Sequence, residues 1–500
     1  MFRNVLICVT TIVVTTACSQ DSRAQQPRLG TIDFPVSASS AVAVHFTRGV
    51  LFLHSFEYGL AAEEFRKAQK LDPAFAMAYW GEAMTQTHPV WNEQNQAGAR
   101  QILGRLASTS QSRRAKALTQ REKAYLNAVE TLYGEGGKAR RDTLYSGEMK
   151  RLMTAYPDDL EARAFYALSL LGLNQGNRDV ATYLEAAEIA KPVFAWNPDH
   201  PGAAHYIIHS YDDPEHASLG LAAAQAYSKI APGAAHAQHM TTHIFLALGM
   251  WDEVVSQNEI ASGPDRDTWT PGHYTWWLNY GLLQQGRKAE ALRMLNQMTP
   301  RSGKALPPRQ DYALRQMRAR YAVDTEDWDA AGDLGNTTEA MFVKGFAAFK
   351  RQQRAELAGA LSSIESLNGK AGTSVDSYNA IQELELRGLS RFANGDRAAA
   401  MALMDTAVAR EIALPVDFGP PGLLKPTREL YGELLLEAGD AQAARHQLGL
   451  ALKMTPRRAR TLAGLAAAEK ASGDSAAAAA TLATLAAITR SQSTAGTGRK

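Results

Sequence analysis

Histidine is the residue whose placement in this chain could do chemistry. Of 12 histidines, seven fall between residues 200 and 243: His200, His205, His209, His216, His236, His239 and His243. On a helix, His205/His209 and His239/His243 are i,i+4 pairs, each on one face, and His236 shares the face of His239. Neutral imidazoles in such pairs suit Zn, Cu or Ni, so His205, His209, His236, His239 and His243 are the candidate metal ligands. The pattern equally suits a polar groove for a peptide or small anion. It also suits a packed hydrogen-bonded network, with Asp199, Asp212, Asp213 and Glu215 as partners. No His-Glu-x-x-His is present: Tyr206, Ile207 and Ile208 separate the first pair, so no general base stands on that helix and a metalloprotease is disfavoured.

Other catalytic patterns are missing from the sequence. There is no Gly-x-Ser-x-Gly elbow, no phosphate-binding Gly-x-x-x-x-Gly-Lys loop and no dinucleotide fingerprint between a strand and a helix. The only cysteines, Cys8 and Cys18, lie in the N-terminal signal region, which excludes a cysteine nucleophile or a disulfide in the mature protein. Adjacent acids (Glu63-Glu64, Asp158-Asp159, Asp212-Asp213) read as caps or solvated faces. No residue is assigned a catalytic role.

The elements that must position the histidines show an internal period. From Val42 the chain reads His45, Gly49, Phe52, Tyr58, Ala61, Phe65, Ala68 and Pro73. Similar frames recur at Gly388, Gly395 and Ala400, at Gly432, Gly439, Ala444 and Pro456, and around Gly249-Met250-Trp251 and Gly286. Small residues stand where two helices approach, and a proline closes the unit. The pattern resembles the tetratricopeptide repeat (TPR), about 34 residues per helical hairpin. The resemblance implies an all-α solenoid of antiparallel helix pairs, a right-handed superhelix of roughly ten units with helix above 60%. With Tyr79-Trp80-Gly81, His88-Pro89-Val90-Trp91-Asn92 and Gly419-Pro420-Pro421, the chain is also similar to a group of bacterial TPR-containing lipoproteins. That likeness covers most of the chain and implies the fold, not a reaction.

Units beginning at Pro201 and Ala235 place the five candidate ligands on first helices, at positions that in TPR proteins face the concave groove. The resemblance thus implies one cluster on two adjacent helices. A further unit from Gly272 would add His273, Trp276 and Tyr280 as ligand-binding residues on the same surface.

Composition sets outer bounds. With 53 basic and 51 acidic residues the net charge is +2, which argues against a nucleic-acid partner. Arg3 and the apolar run Val5–Val14 have the shape of a secretory signal, too short to span a membrane comfortably. Thr15-Thr16-Ala17-Cys18-Ser19 resembles a lipobox, with Thr15 where Leu is usual. It implies lipidation of Cys18 and sorting to the outer membrane, facing the periplasm. The rival is soluble export after cleavage at Ala24.

The expected organisation is signal 1–18, tether 19–38, His-bearing array 39–265, junction unit and loop 266–310, second array 311–490 and a disordered tail 491–500. Residues 108–116 and 134–142 read as loops, and 415–426 is too rich in proline and glycine to be helical throughout. The expected function is an exported scaffold binding a protein or peptide in its groove, with or without a histidine-held metal. The alternative is a metal-dependent hydrolase or oxidoreductase using the same cluster. Contact with a membrane is expected only through the N-terminal lipid.

Overall fold

The computed structural model describes residues 27–174, 178–300, 305–371, 374, 377–415 and 418–490. The expected signal, Cys18 and the tail 491–500 lie outside them. Helix makes up 73% of the described residues, in 24 α-helices. In the first part these are α1 (Ser40–His54), α2 (Tyr58–Leu71), α3 (Ala76–Met84), α4 (Gln96–Leu106), α5 (Ser110–Lys116), α6 (Gln120–Leu132), α7 (Lys138–Ala155), α8 (Leu160–Leu171) and α9 (Val180–Trp196). The histidine-bearing part is α10 (Pro201–Ser210), α11 (Ala217–Ile230), α12 (Ala235–Ala247), α13 (Trp251–Ala261), α14 (His273–Gln284) and α15 (Lys288–Met298). There follow α16 (Pro308–Thr325), α17 (Thr338–Lys350), α18 (Arg354–Ala371), α19 (Tyr378–Ala393), α20 (Arg397–Ala413), α21 (Thr427–Glu437), α22 (Ala441–Met454), α23 (Ala459–Ala471) and α24 (Ser475–Arg490).

Local chemistry sets these boundaries. Pro201 opens α10 where its missing N–H costs nothing, and His200 caps it by accepting from the Ala203 N–H. Thr119 and Glu122 form a capping box on α6. Thr109 caps α5, so the segment expected as a loop at 108–116 is largely a helix. At 134–142 the loop ends at Gly137, where α7 begins.

Neighbouring helices pack in sequence as α1/α2, α6/α7, α8/α9, α10/α11, α12/α13 and on through α17/α18, α19/α20, α21/α22 and α23/α24. Within many pairs the tight turn needs a left-handed residue, supplied by Gly249, Gly286, Gly395, Gly439 and Gly473 at φ between +66° and +90°. The result is an all-α solenoid of helix pairs of the TPR type. Sheet among the described residues is confined to a two-stranded ribbon, β1 (Thr87–His88) against β2 (Glu93–Gln94). No described helix is long and apolar enough to cross a membrane.

Two expectations about organisation change. Residues 27–38, expected in a flexible tether, are a docked strap with Leu29 and Phe34 buried. Phe34 packs among Phe46, Trp80 and Tyr125, and the main chain bonds Asp199 and Gly233. The two half-arrays are also not separate. Leu462 of α23 and Ile488 of α24 join the core cluster of the N-terminal part, and Arg458 reaches Tyr280 of α14 and Asp324 of α16. The expected junction therefore holds a regular pair, α14/α15, with the C-terminal part packed back on α13 and α14 through Arg457 and Arg458. The non-helical stretch between α20 and α21 crosses over it, with Gly419 against the Trp277 ring.

Candidate metal centre

The site is built on α10, α12 and α14, with α1 laid across them. Gly202 lets α10 approach α1 closely, since a Cβ there would fall 2.3 Å from His54 Nδ1. Along α10, His205 and His209 follow one turn apart. From α12 come His236, His239 and His243, on a helix with every residue from His236 to Ala247 buried. His273 begins α14.

These six histidines form two triads. One ring nitrogen from each of His205, His209 and His236 lies within 4.8 Å of the others, and the same holds for His239, His243 and His273. The triads are neighbours: the His209 and His243 rings are 5.9 Å apart, centre to centre. The expected single cluster on two helices is thus corrected to two clusters on three. His273, expected as a ligand contact, stands among the possible metal ligands, because the first turn of α14 brings its ring to 4.4 Å from His239 and 6.2 Å from His243, centre to centre.

Hydrogen bonds fix several tautomers. His205 Nδ1 donates to the His54 carbonyl at 2.7 Å, which leaves a lone pair on Nε2. His243 Nδ1 donates to Asp212 Oδ2 at 2.5 Å. His239 Nδ1 donates to Asn258 Oδ1 at 2.7 Å, and the Asn258 amide is held in that orientation by donating to Val254 and Thr242. The Nε2 atoms of His239 and His243 therefore both carry lone pairs, yet stand 3.1 Å apart. Such a contact is repulsive unless a proton or metal cation lies between them. Burial, with the neighbouring His273 and His243, pushes His239 well below the usual imidazole range, which disfavours a proton on His239 itself.

In the first triad the Nε2 atoms of His205, His209 and His236 are all buried with no hydrogen-bond partner in the protein. Each is a group whose desolvation is uncompensated, at a cost of about 1–3 kcal/mol. Burial brings His205 down to about 3 and pushes His209 and His236 well below their ordinary value, helped by repulsion among the rings. All three are neutral near pH 7, the state that binds a metal.

A third group, His54, Glu161 and His200, has the same composition and a different character. His54 Nε2 donates to Glu161 at 2.7 Å, and Tyr206 donates to His54 Nδ1 at 2.8 Å. His200 Nε2 meets the other Glu161 oxygen at 3.1 Å and its Nδ1 caps α10. Burial opposes ionisation of Glu161, but His200 and His54 outweigh it and hold the carboxyl at about 2. Every ring nitrogen here has a partner, so this group is a structural bridge between α1, α8 and α10.

Aromatic side chains cover the triads. Phe56 sits 4.2 Å from His205, 5.7 Å from His209 and 5.6 Å from His236, centre to centre. It occupies the left-handed turn between α1 and α2, at φ +55°, where most pairs place glycine and α17/α18 places Gln352. The β1–β2 ribbon brings Trp91 to 5.8 Å from His236. Trp277 and Phe418 pack on His243 at 4.3 and 5.2 Å. The inner face is therefore covered at His205, His209, His236, His239 and His243, not open as the groove expectation had it, while His273 is exposed. Two residues expected on that surface serve elsewhere: Tyr280 is buried against Arg458 and Trp251, and Trp276 packs towards Tyr312.

No model of a known protein family matches the chain, and no curated protein matches it. Among solved structures it is similar to a human IFIT1 dimer with m7Gppp-AAAA, at 11% identity, 92% coverage of each chain and a TM-score of 0.35. Yeast Tom70 is matched at 13% identity, 90% of this chain, 86% of that chain and a TM-score of 0.27. Cut9 in the APC/C Cut9–Hcn1 hetero-tetramer is matched at 14% identity, 91% and 94% coverage and 0.29. At such scores the fold rests on the helix pairing itself, and nothing about function passes from these proteins to this one.

Proposed function

We propose that this chain is a metal-binding α-solenoid, holding two neighbouring transition-metal ions, one in each histidine triad. The observation that carries the reading is the set of buried, unpartnered Nε2 atoms on His205, His209 and His236. The opposed lone pairs of His239 and His243 support it independently. Imidazole-only ligation with no thiolate suits Zn, Cu or Ni. Asp212, Asn258 and the His54 carbonyl orient the rings, as outer partners of metal-bound histidines do. A protein or peptide partner, expected from the repeat architecture, would dock away from the triads, which Phe56, Trp91 and Phe418 cover.

Elemental analysis of the tag-free protein after equilibration with Zn(II) and dialysis tests this. Two equivalents are expected, falling to one in His205→Gln/His209→Gln and to one in His239→Gln/His243→Gln, with helical content kept. A wild-type protein that retains no metal refutes the reading. Export with a lipid on Cys18 is part of the proposal. Cys18→Ser should move the protein from the membrane to the soluble fraction, and identical fractionation of the two forms would favour cleavage at Ala24.

A further inference from the structure

The geometry points to an exogenous oxyanion as a ligand of the ion held by His205, His209 and His236, entering beside Arg178. The inference rests on the metal reading and says what the first triad is for. A cleft of about 310 Å³ leads to His209, lined by Trp91, Asn92, Asn174, Arg178, Tyr183 and His209 itself. Its floor includes His209 of the first triad, whereas the second triad meets solvent separately at the exposed His273.

Charge makes the case. Three neutral imidazoles leave a divalent ion with its full charge in a dry setting, and the triad contains no carboxylate. Neighbouring acids are committed elsewhere: Asp212 to His243, Asp213 to Arg178, and Glu57 to the backbone N–H of His236. Three protein ligands also fill only part of a four-coordinate shell. An anion that completes the shell therefore supplies both the missing ligand and the missing charge.

Arg178 is a built part of this site. Its side chain is 5% exposed. It is clamped by donating to the Ser210 carbonyl at 2.8 Å, to Asp213 Oδ2 at 2.8 Å and to the Asp212 carbonyl. The Tyr183 ring lies 4.7 Å from the guanidinium. Its Nε is buried and has no hydrogen-bond partner in the protein. Its positive charge acts on His209, one of the influences that lower that imidazole. A fixed cation with an unused donor, lining the same cleft as a metal ligand, suits the oxygen of a carboxylate or phosphate.

The test uses the full chain loaded with Co(II), whose visible absorption reports coordination, titrated with acetate and with inorganic phosphate. A saturable change in the cobalt bands is expected with at least one of them. Arg178→Gln should weaken that response roughly tenfold or more at unchanged cobalt content. Arg178→Lys, which keeps the charge and some main-chain bonds, should fall between and guards against misfolding. In His205→Gln/His209→Gln the Arg178-dependent part of the response should be lost. Two bound equivalents with bands indifferent to both anions would overturn the inference and leave the metal reading standing, as would an unaltered response in both Arg178 variants. No cobalt uptake overturns both.

Discussion

Phe56 occupies a turn position that goes to glycine in most other pairs, and its ring covers three imidazoles. A left-handed backbone costs a non-glycine residue roughly 1–2 kcal/mol. Phe56→Gly should relieve that strain while removing the cover, so that metal dissociates faster from the first triad, read by transfer to a chromophoric chelator. An unchanged rate would show that the ring is packing alone. Asp212 acts one bond further out. Asp212→Asn weakens the acceptor that fixes the His243 tautomer, and should cost about 10–100-fold in affinity at the second triad with the first unaffected. Competition titration separates the two. Gly202→Ala tests the structural histidines, since its Cβ has no room beside His54. A loss of about 1–3 kcal/mol is expected in chemical denaturation, with two metal equivalents retained.

At the scale of elements, α19 and the end of α20 each set a buried carboxylate against the start of α21, and this pair makes stability depend on pH. Thr427 Oγ1 donates to Glu385 at 2.9 Å and the Thr427 N–H to Glu411 at 3.2 Å. Burial raises both acids; Glu411 raises Glu385 further while Lys425 opposes, and Arg428 and Glu429 act in opposite senses on Glu411, which reaches about 7. The folded chain thus holds more protons than the unfolded one between the ordinary carboxylate value of 4.5 and about 7. This contribution to stability is full below that window and declines as pH rises through it. Glu411→Gln should raise the melting temperature at pH 8 and leave it unchanged near pH 4; an equal effect at both would contradict the assignment. Helix boundaries themselves were legible in the residues. Pro201 and Ala235 open α10 and α12, and the turn glycines mark the pairs, because helix caps and the repeat period are local signals. The strap at 27–38 was not legible: extended chain has no helical period, and Leu29 and Phe34 look like stray apolar residues until the grooves that receive them exist. His273 was readable as a partner of the site, whereas its grouping with His239 and His243 depends on how α12 and α14 pack.

At the scale of the whole molecule, closure of the array decides what the histidines can do. An extended solenoid would leave them facing an open groove, as the repeat frame alone suggests. Here the C-terminal part returns to the middle through Arg458, which is wholly buried and bonds Glu429 at 2.8 Å and Asp324 at 2.5 Å. Arg458→Met leaves Asp324 without its cation, Glu429 keeping Lys425, and should cost about 3–5 kcal/mol, with a larger radius of gyration in solution scattering. Unchanged dimensions and stability would show that closure does not depend on this residue. Closure brings Phe418 onto His243 while His273 stays exposed, and the Arg178 cleft leads to the first triad. The central claim is that these buried rings hold metal. Anomalous scattering at the zinc edge, from crystals of the tag-free protein equilibrated with Zn(II), tests it most directly. Two peaks are predicted, one among His205, His209 and His236 and one among His239, His243 and His273; ordered rings with no peak at either triad would contradict it.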